Sequence, residues 1–373
     1  MNNLTRCLIL LTLLGIAFAK YHIVIVAGQS NCLNIHTRAT DLPACEADSL
    51  VPFFYDLYYP PGFAPNDLVC TSDNTWEKLK VVKGDEARTT AYSFFGPEMT
   101  LARTLLDNMD SVAIFKYGVA GSDLAYDWGL AVDGGPEIFD KFVTKIRLAE
   151  AAMDAAGHDH EWLAATWMQG ESDADNLNQA SNYYRNLGYF MKCLRDTLKV
   201  PDLPFVIGLV ADELPLNSYP YREKVLDAQH RRADADDHAL VVNTADFEMD
   251  TDNVHFNSNG VMDLGEGFAQ AILALTAGTA ILPGRMEAEN ELKLLPNPVN
   301  GLAVAEFVLE VSAELTLHLY DLRGHMILKR HYGTYSEGKH RLLIPVNNLN
   351  SGLYIVRIST GTKVMTNKLN ILK

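Results

Sequence analysis

Three side chains have the types and the spacing for nucleophilic catalysis. Ser30 lies in Gly28-Gln29-Ser30-Asn31, and Asp252 and His255 lie in Asp252-Asn253-Val254-His255. A serine hydroxyl attacks only when a base takes its proton, and an imidazole base needs a partner that fixes its tautomer and stabilises its charged form. The Asp252–His255 spacing lets one turn face both side chains the same way. Acyl transfer also needs donors for the developing oxyanion, each typically contributing about 3–4 kcal/mol of transition-state stabilisation. The candidates are the Ser30 backbone N–H, the Gly121 N–H in Gly118-Val119-Ala120-Gly121-Ser122, and the Gln169 side chain in Gln169-Gly170-Glu171-Ser172-Asp173. Gln29, Asn31 and Glu171 are candidates for site support. Singly, Ser30 reads as a turn or cap serine, His255 as a structural histidine, and Glu171 as a solvated loop carboxylate. Jointly the set reads as an acyl-transfer site.

The elements that would position these residues alternate along residues 20–280. Strands are expected at His22–Val26, Val112–Lys116, Trp162–Met168, Phe205–Val210 and Leu240–Thr244, all short, apolar runs of the kind buried on both faces of a sheet. Helical periodicity marks Glu98–Leu106, Ile138–Ala156, Ala180–Leu198, Arg222–Ala235 and Val261–Leu275. Alternation of this kind predicts an α/β domain: a parallel sheet between helices in a flavodoxin-like three-layer α/β/α sandwich. Ligands then sit at the carboxyl ends of the strands, where all the polar clusters fall.

Residues 291–373 have a different pattern. Short alternating strands at Leu315–Leu319, Met326–Arg330, His340–Pro345, Leu353–Ser359 and Val364–Leu372 are separated by Gly and Asn turns, which predicts a small all-β sandwich. Charge divides the chain at the same place. Residues 20–290 hold 20 Lys and Arg against 41 Asp and Glu, and residues 291–373 hold 10 against 6. A breaker-rich linker is expected over residues 281–290. At the other end, Arg6, an apolar run from Cys7 to Ile16 and Ala17-Phe18-Ala19 form the pattern of a signal peptide, residues 1–19.

The formal net charge of −16 argues against a nucleic-acid partner, and no interior run is long enough for a transmembrane segment. Export leaves Cys32, Cys45, Cys70 and Cys193, which allow two disulfides in any of three connectivities. A Cys45–Cys70 bridge would staple the Pro- and Tyr-rich stretch from Pro52 to Pro65, read as a long loop. No metal site is expected. His158-Asp159-His160-Glu161 falls at the wrong sheet edge, and the acidic run from Asp246 has Thr251 and Asn257 where a calcium loop needs Gly and Glu.

The three clusters Gly28-Gln29-Ser30-Asn31, Trp167-Met168-Gln169-Gly170-Glu171-Ser172-Asp173 and Asp252-Asn253-Val254-His255 together resemble the SGNH-hydrolase superfamily, in its sialate O-acetylesterase and acetylxylan esterase branch. Phe95-Gly96-Pro97-Glu98 and Asp127-Trp128 resemble further segments of that branch. The resemblance implies Ser30 as nucleophile, His255 and Asp252 as its partners, and Gln169 as side-chain oxyanion donor, with no cofactor. Cys32 stands where the branch usually has Met, and Ala120 replaces one Gly of a usual pair, which puts the choice of Gly121 as backbone donor in question. Leu295-Pro296-Asn297-Pro298, Leu319-Tyr320-Asp321-Leu322-Arg323-Gly324 and the terminal Lys368-Leu369-Asn370-Ile371-Leu372-Lys373 resemble a type A sorting domain of type IX secretion. The expectation is a secreted or surface-bound esterase acting on acetylated carbohydrate and exported by type IX machinery. Its rivals are an inactive carbohydrate-binding or adhesion protein and a lipase-like esterase.

Overall fold

The computed structural model describes residues 20–34, 36–59, 68–83, 93–129, 137–276, 292–361 and 363–373. The expected signal peptide and linker lie outside the described residues.

The N-terminal region opens with β1 (Tyr21–Gly28), followed at once by the single-turn α1 (Ser30–Leu33). Then come β2 (Pro52–Tyr59), β3 (Leu68–Thr71), the short β4 (Glu77–Lys78), β5 (Val82–Lys83) and β6 (Ser93–Phe94), and α2 (Glu98–Leu106). The rest alternates: β7 (Val112–Val119), α3 (Glu137–Ala155), β8 (His160–Met168), α4 (Leu177–Leu198), β9 (Phe205–Gly208), α5 (Arg222–Asp234), β10 (Ala239–Val242) and α6 (Ser258–Thr276).

The central sheet has the order β10-β9-β8-β1-β7-β2-β3, with β4 also paired to β2. All neighbours from β10 to β2 are parallel, while β3 and β4 run antiparallel to β2. β7 is buried throughout and β1 from Ile23 onward, which is why both read as apolar runs, broken in β7 only by Lys116. α4 starts where the Asn176 side chain accepts from the Asn178 and Gln179 N–H groups. The chain lays down β2 and β7 on one side of β1, then β8, β9 and β10 on the other. The carboxyl end of β1 is therefore the point where crossovers diverge and a crevice opens. Ser30 stands there.

Two expectations change. Residues 52–59 of the expected loop form a strand, while residues 60–65 lie outside the described residues: β2 is a sixth parallel strand, with Phe53, Phe54 and Leu57 fully buried and Tyr58 paired beside Val119 of β7. Pro52 begins the strand, where its missing N–H removes no interior ladder bond. Cys45 is a free thiol, so the expected Cys45–Cys70 bridge is not formed. Cys70 lies in β3, with Sγ 3.8 Å from Lys83 O. Sheet hydrogen bonding to β7 fastens this segment, which removes the need for a staple.

The C-terminal region comprises β11 (Lys293–Leu295), β12 (Leu302–Leu309), β13 (Ala313–Tyr320), β14 (Met326–Tyr335), β15 (Gly338–Pro345), β16 (Gly352–Ser359) and β17 (Val364–Ile371). They form two antiparallel sheets, β11-β12-β15 and β14-β13-β16-β17, around a core that includes Phe307, Leu317, Ile344 and Val356. This region docks on α5. His340 Nδ1 lies 2.8 Å from Asp234, Arg341 donates to the carbonyls of Ala233 and Asp236, and Tyr335 packs against His230 at 4.0 Å.

Candidate active site

The crevice gathers loops from three strands. Ser30 begins α1 directly after β1, so its own N–H has no acceptor within the helix. Gly28 makes this turn possible: a Cβ there would lie 2.0 Å from Met168 O on the neighbouring strand. His255 comes from the loop between β10 and α6, held in a tight turn by Asp250 N to His255 O at 2.7 Å and by the Met249–Phe256 bridge.

These loops bring Ser30, His255 and Asp252 into one hydrogen-bonded chain. His255 Nε2 is 3.0 Å from Ser30 Oγ, and Nδ1 is 2.6 Å from Asp252 Oδ2. The other Asp252 oxygen accepts the Val254 and His255 N–H groups at 2.9 and 3.0 Å. Burial pushes the Asp252 carboxyl up, but these bonds from the His255 side chain and the two N–H groups outweigh it and hold the carboxyl below its ordinary range. Burial, reinforced by the positive charge available on neighbouring His36, pulls His255 down. Both effects favour the neutral imidazole, whose Nε2 faces the Ser30 hydroxyl.

The support residues connect the loops. Asn31 Nδ2 donates to Glu171 Oε1 at 2.6 Å and to Val254 O at 3.0 Å, and its Oδ1 accepts from Phe256 N at 3.0 Å. Gln29 Oε1 accepts the N–H groups of Gly170 and Ser172. The turn that carries Ser30 is thus tied to both other loops by the two residues that flank it. Glu171 is buried, not solvated, and burial raises its carboxyl above the usual range.

The oxyanion candidates differ in their standing. Gly121 follows β7 in the left-handed region, with φ of +67°, and lines an open cavity of about 910 Å³ with Tyr58, Ala120 and Ser122. Gln169 is fully buried, and both of its Nε2 hydrogens are engaged, to Asp173 Oδ2 at 2.6 Å and Ser122 O at 3.1 Å. Its Oε1 accepts from Tyr183 Oη at 3.0 Å. In this arrangement Gln169 braces the loop after β7 against the loop after β8, and it reaches an oxyanion only by releasing one of those bonds. Burial raises Asp173, the carboxylate that holds it, to about 7.

Cys32, two residues from Ser30, is a buried thiol that burial pushes up to about 12, so it is inert. Of the groups that surround these residues, His36 and Lys116 carry no sequence signal. His36 stacks on His255, Asp250 pairs with His36, and Lys116 and Glu98 form a fully buried ion pair behind α1. Side-chain atoms of His36, Asp252 and His255 lie within 4.8 Å of one another. The imidazole planes are 8° from parallel, so their lone pairs run side by side and do not converge as metal ligands must.

A Ser–His–Asp chain at the carboxyl edge of a parallel α/β sheet is an arrangement that can carry acyl transfer. Residues 20–274 match the profile described as carbohydrate esterase, sialic acid-specific acetylesterase, and the chain belongs to that family. Residues 293–372 match the secretion system C-terminal sorting domain. A probable carbohydrate esterase of Arabidopsis thaliana is 26% identical over 225 residues, 59% of this chain and 80% of the relative. Among solved structures, a protein from Arabidopsis thaliana superposes with a TM-score of 0.52 at 20% identity, covering 69% of this chain and 99% of the other. The crystal structure of NanS gives 0.50 at 15% identity, covering 70% and 99%. At these identities both show a shared fold.

Proposed function

We propose that the chain is an exported serine O-acetylesterase acting on acetylated carbohydrate, with the SGNH-hydrolase arrangement of helices about its sheet. The observation that carries this reading is the Ser30–His255–Asp252 chain, with contacts of 3.0 and 2.6 Å, at the topological crevice. The grouping of α2 with α6 and of α4 with α5 is consistent with helices on two faces.

In the reaction, Ser30 Oγ attacks the acetyl carbonyl carbon while its proton passes to His255 Nε2. Asp252 stabilises the imidazolium through Nδ1–H. The Ser30 and Gly121 N–H groups receive the oxyanion, joined by Gln169 once it exchanges its longer bond to Ser122 O for the new one. His255 returns its proton to the departing sugar oxygen, leaving acetyl-Ser30. Water, deprotonated by His255, then attacks the acetyl-enzyme, and acetate leaves as Ser30 regains its proton. The family match supports a carbohydrate leaving group, and the sorting-domain match supports export.

The test is acetate release from p-nitrophenyl acetate and from acetylated oligosaccharides. Ser30→Ala is expected to lose a factor of about 10³ or more. Equal rates for wild type and variant on both substrates would sink the esterase reading.

A further inference from the structure

His36 lies on the segment after α1, six residues beyond the nucleophile, and its imidazole lies flat against His255. The ring centroids are 4.0 Å apart and the planes differ by 8°. Its Nδ1 is 2.7 Å from Asp250 Oδ2, just as His255 Nδ1 is 2.6 Å from Asp252 Oδ2. Two imidazoles are therefore stacked face to face, each with its own carboxylate, and the two carboxylates sit two residues apart on one turn. The second pair is also anchored to the backbone. Asp250 Oδ1 accepts from Thr251 N at 2.8 Å, Asp250 N donates to His255 O, and His36 N donates to Asn34 Oδ1 at 3.0 Å. Asn34 in turn donates to Phe256 O at 3.0 Å, beside His255.

We propose that His36 and Asp250 form a second His–Asp pair that positions the His255 ring and keeps it unprotonated in mildly acidic surroundings, so that the base stays active there. The inference rests on the proposed role of His255 as the base. A flat imidazole at 4.0 Å fixes the plane in which His255 can rotate. Any positive charge on it also opposes a second proton on His255, since like charges this close disfavour each other.

The groups facing His255 act in both directions. His36 and the burial of the ring lower it, while Asp252 and Asp250 raise it. Ser30 contributes an uncharged hydroxyl, and Glu171 stands behind Asn31. Tyr219, from the segment before α5, feels both Glu171 and Asp252. With burial and His36 on the lowering side, the acid limb of wild-type kcat/KM falls below pH 6.5, the ordinary imidazole value.

The experiment is the pH profile of kcat/KM on p-nitrophenyl acetate for wild type, His36→Phe, His36→Gln and His36→Phe/Asp250→Asn. Phenylalanine keeps the flat stacking partner and the burial but carries no charge, and it leaves Asp250 without its partner. Both changes raise His255. The acid limb should therefore move up by ~0.5–1 unit in both single variants, a loss of roughly 3–10-fold in rate below the limb. Adding Asp250→Asn should move it part of the way back. A limb that stays put or moves down in His36→Phe and His36→Gln overturns the proposal. If either variant is inactive throughout, NMR titration of His255 in a Ser30→Ala background reads the same shift without turnover. An active Ser30→Ala protein refutes the esterase reading itself, whereas an inactive one with an unmoved limb refutes only the role of His36.

Discussion

Replacing Lys116 with Met should destabilise the N-terminal α/β region more than any surface change. Lys116 projects from β7 to Glu98 at the start of α2, with Nζ 2.6 Å from Oε2 and both side chains wholly excluded from solvent. Lys116 also lies 3.4 Å from Leu33 O at the end of α1, and the other Glu98 oxygen accepts from Gly96 N at 2.9 Å. The pair thus joins three elements behind the turn that carries Ser30. Methionine fills most of the space but leaves the Glu98 carboxylate buried with only the Gly96 N–H, and stranding one partner of a buried pair costs about 3–5 kcal/mol. At roughly 2–4 °C per kcal/mol for a domain of this size, the melting temperature should fall by ~6–20 °C. Differential scanning calorimetry of the full chain reads the transition of that region directly. The second variant, Lys116→Met with Glu98→Gln, removes the stranded charge and should recover more than half of the loss. A single variant that melts within ~2 °C of wild type refutes the reasoning, because the charge would then be solvated or expendable. A double variant no more stable than the single one would also count against it, by placing the cost in shape and not in charge.

Other perturbations have equally definite outcomes. Asp252→Asn keeps the contact with His255 but removes the carboxylate that favours the reactive tautomer, so kcat should drop by ~10²–10⁴ with KM little changed, measured on p-nitrophenyl acetate. Gly28→Ala places a Cβ 2.0 Å from Met168 O, which is backbone and cannot swing aside. Soluble yield and melting temperature should show a loss above about 4 kcal/mol or failure to fold. His230, buried against Tyr335 where α5 meets the C-terminal sandwich, is lowered to about 3 by burial and by His340. The unfolded chain takes up this proton below pH 6.5 and the folded chain does not. Stability is therefore complete above that value and falls by ~1.4 kcal/mol per unit toward pH 3. His230→Phe keeps the ring contact and should flatten the acid side of a melting-temperature profile; parallel profiles would contradict this.

Much of the molecule can be read from residue order, and the reasons are physical. Strands buried on both faces are mostly apolar, so β1, β7, β8, β9 and β10 stand out in the sequence, and α2 runs over the same residues, Glu98–Leu106, that its periodicity marks. Ser30, His255 and Asp252, the residues proposed for acyl transfer, stand beside strand ends, and the fold brings them within hydrogen-bond reach. The change of charge and of turn frequency near residue 290 separates the two regions because each builds its own core. What local pattern could not convey depends on partners distant in the chain. Pro52–Tyr59 is a strand because β7 offers it a parallel edge, which its proline and tyrosines do not announce. Gln169 has a donor-rich side chain, but Asp173 and Ser122 decide where its hydrogens go. His36 looks like any loop histidine until the turn carrying Asp250 and His255, more than 200 positions away, lays a ring upon it. Residue types thus determined which chemistry was possible. Only tertiary packing decided the neighbours that set each group's charge and orientation, because electrostatics and hydrogen bonding act over a few ångströms of space and not along the chain.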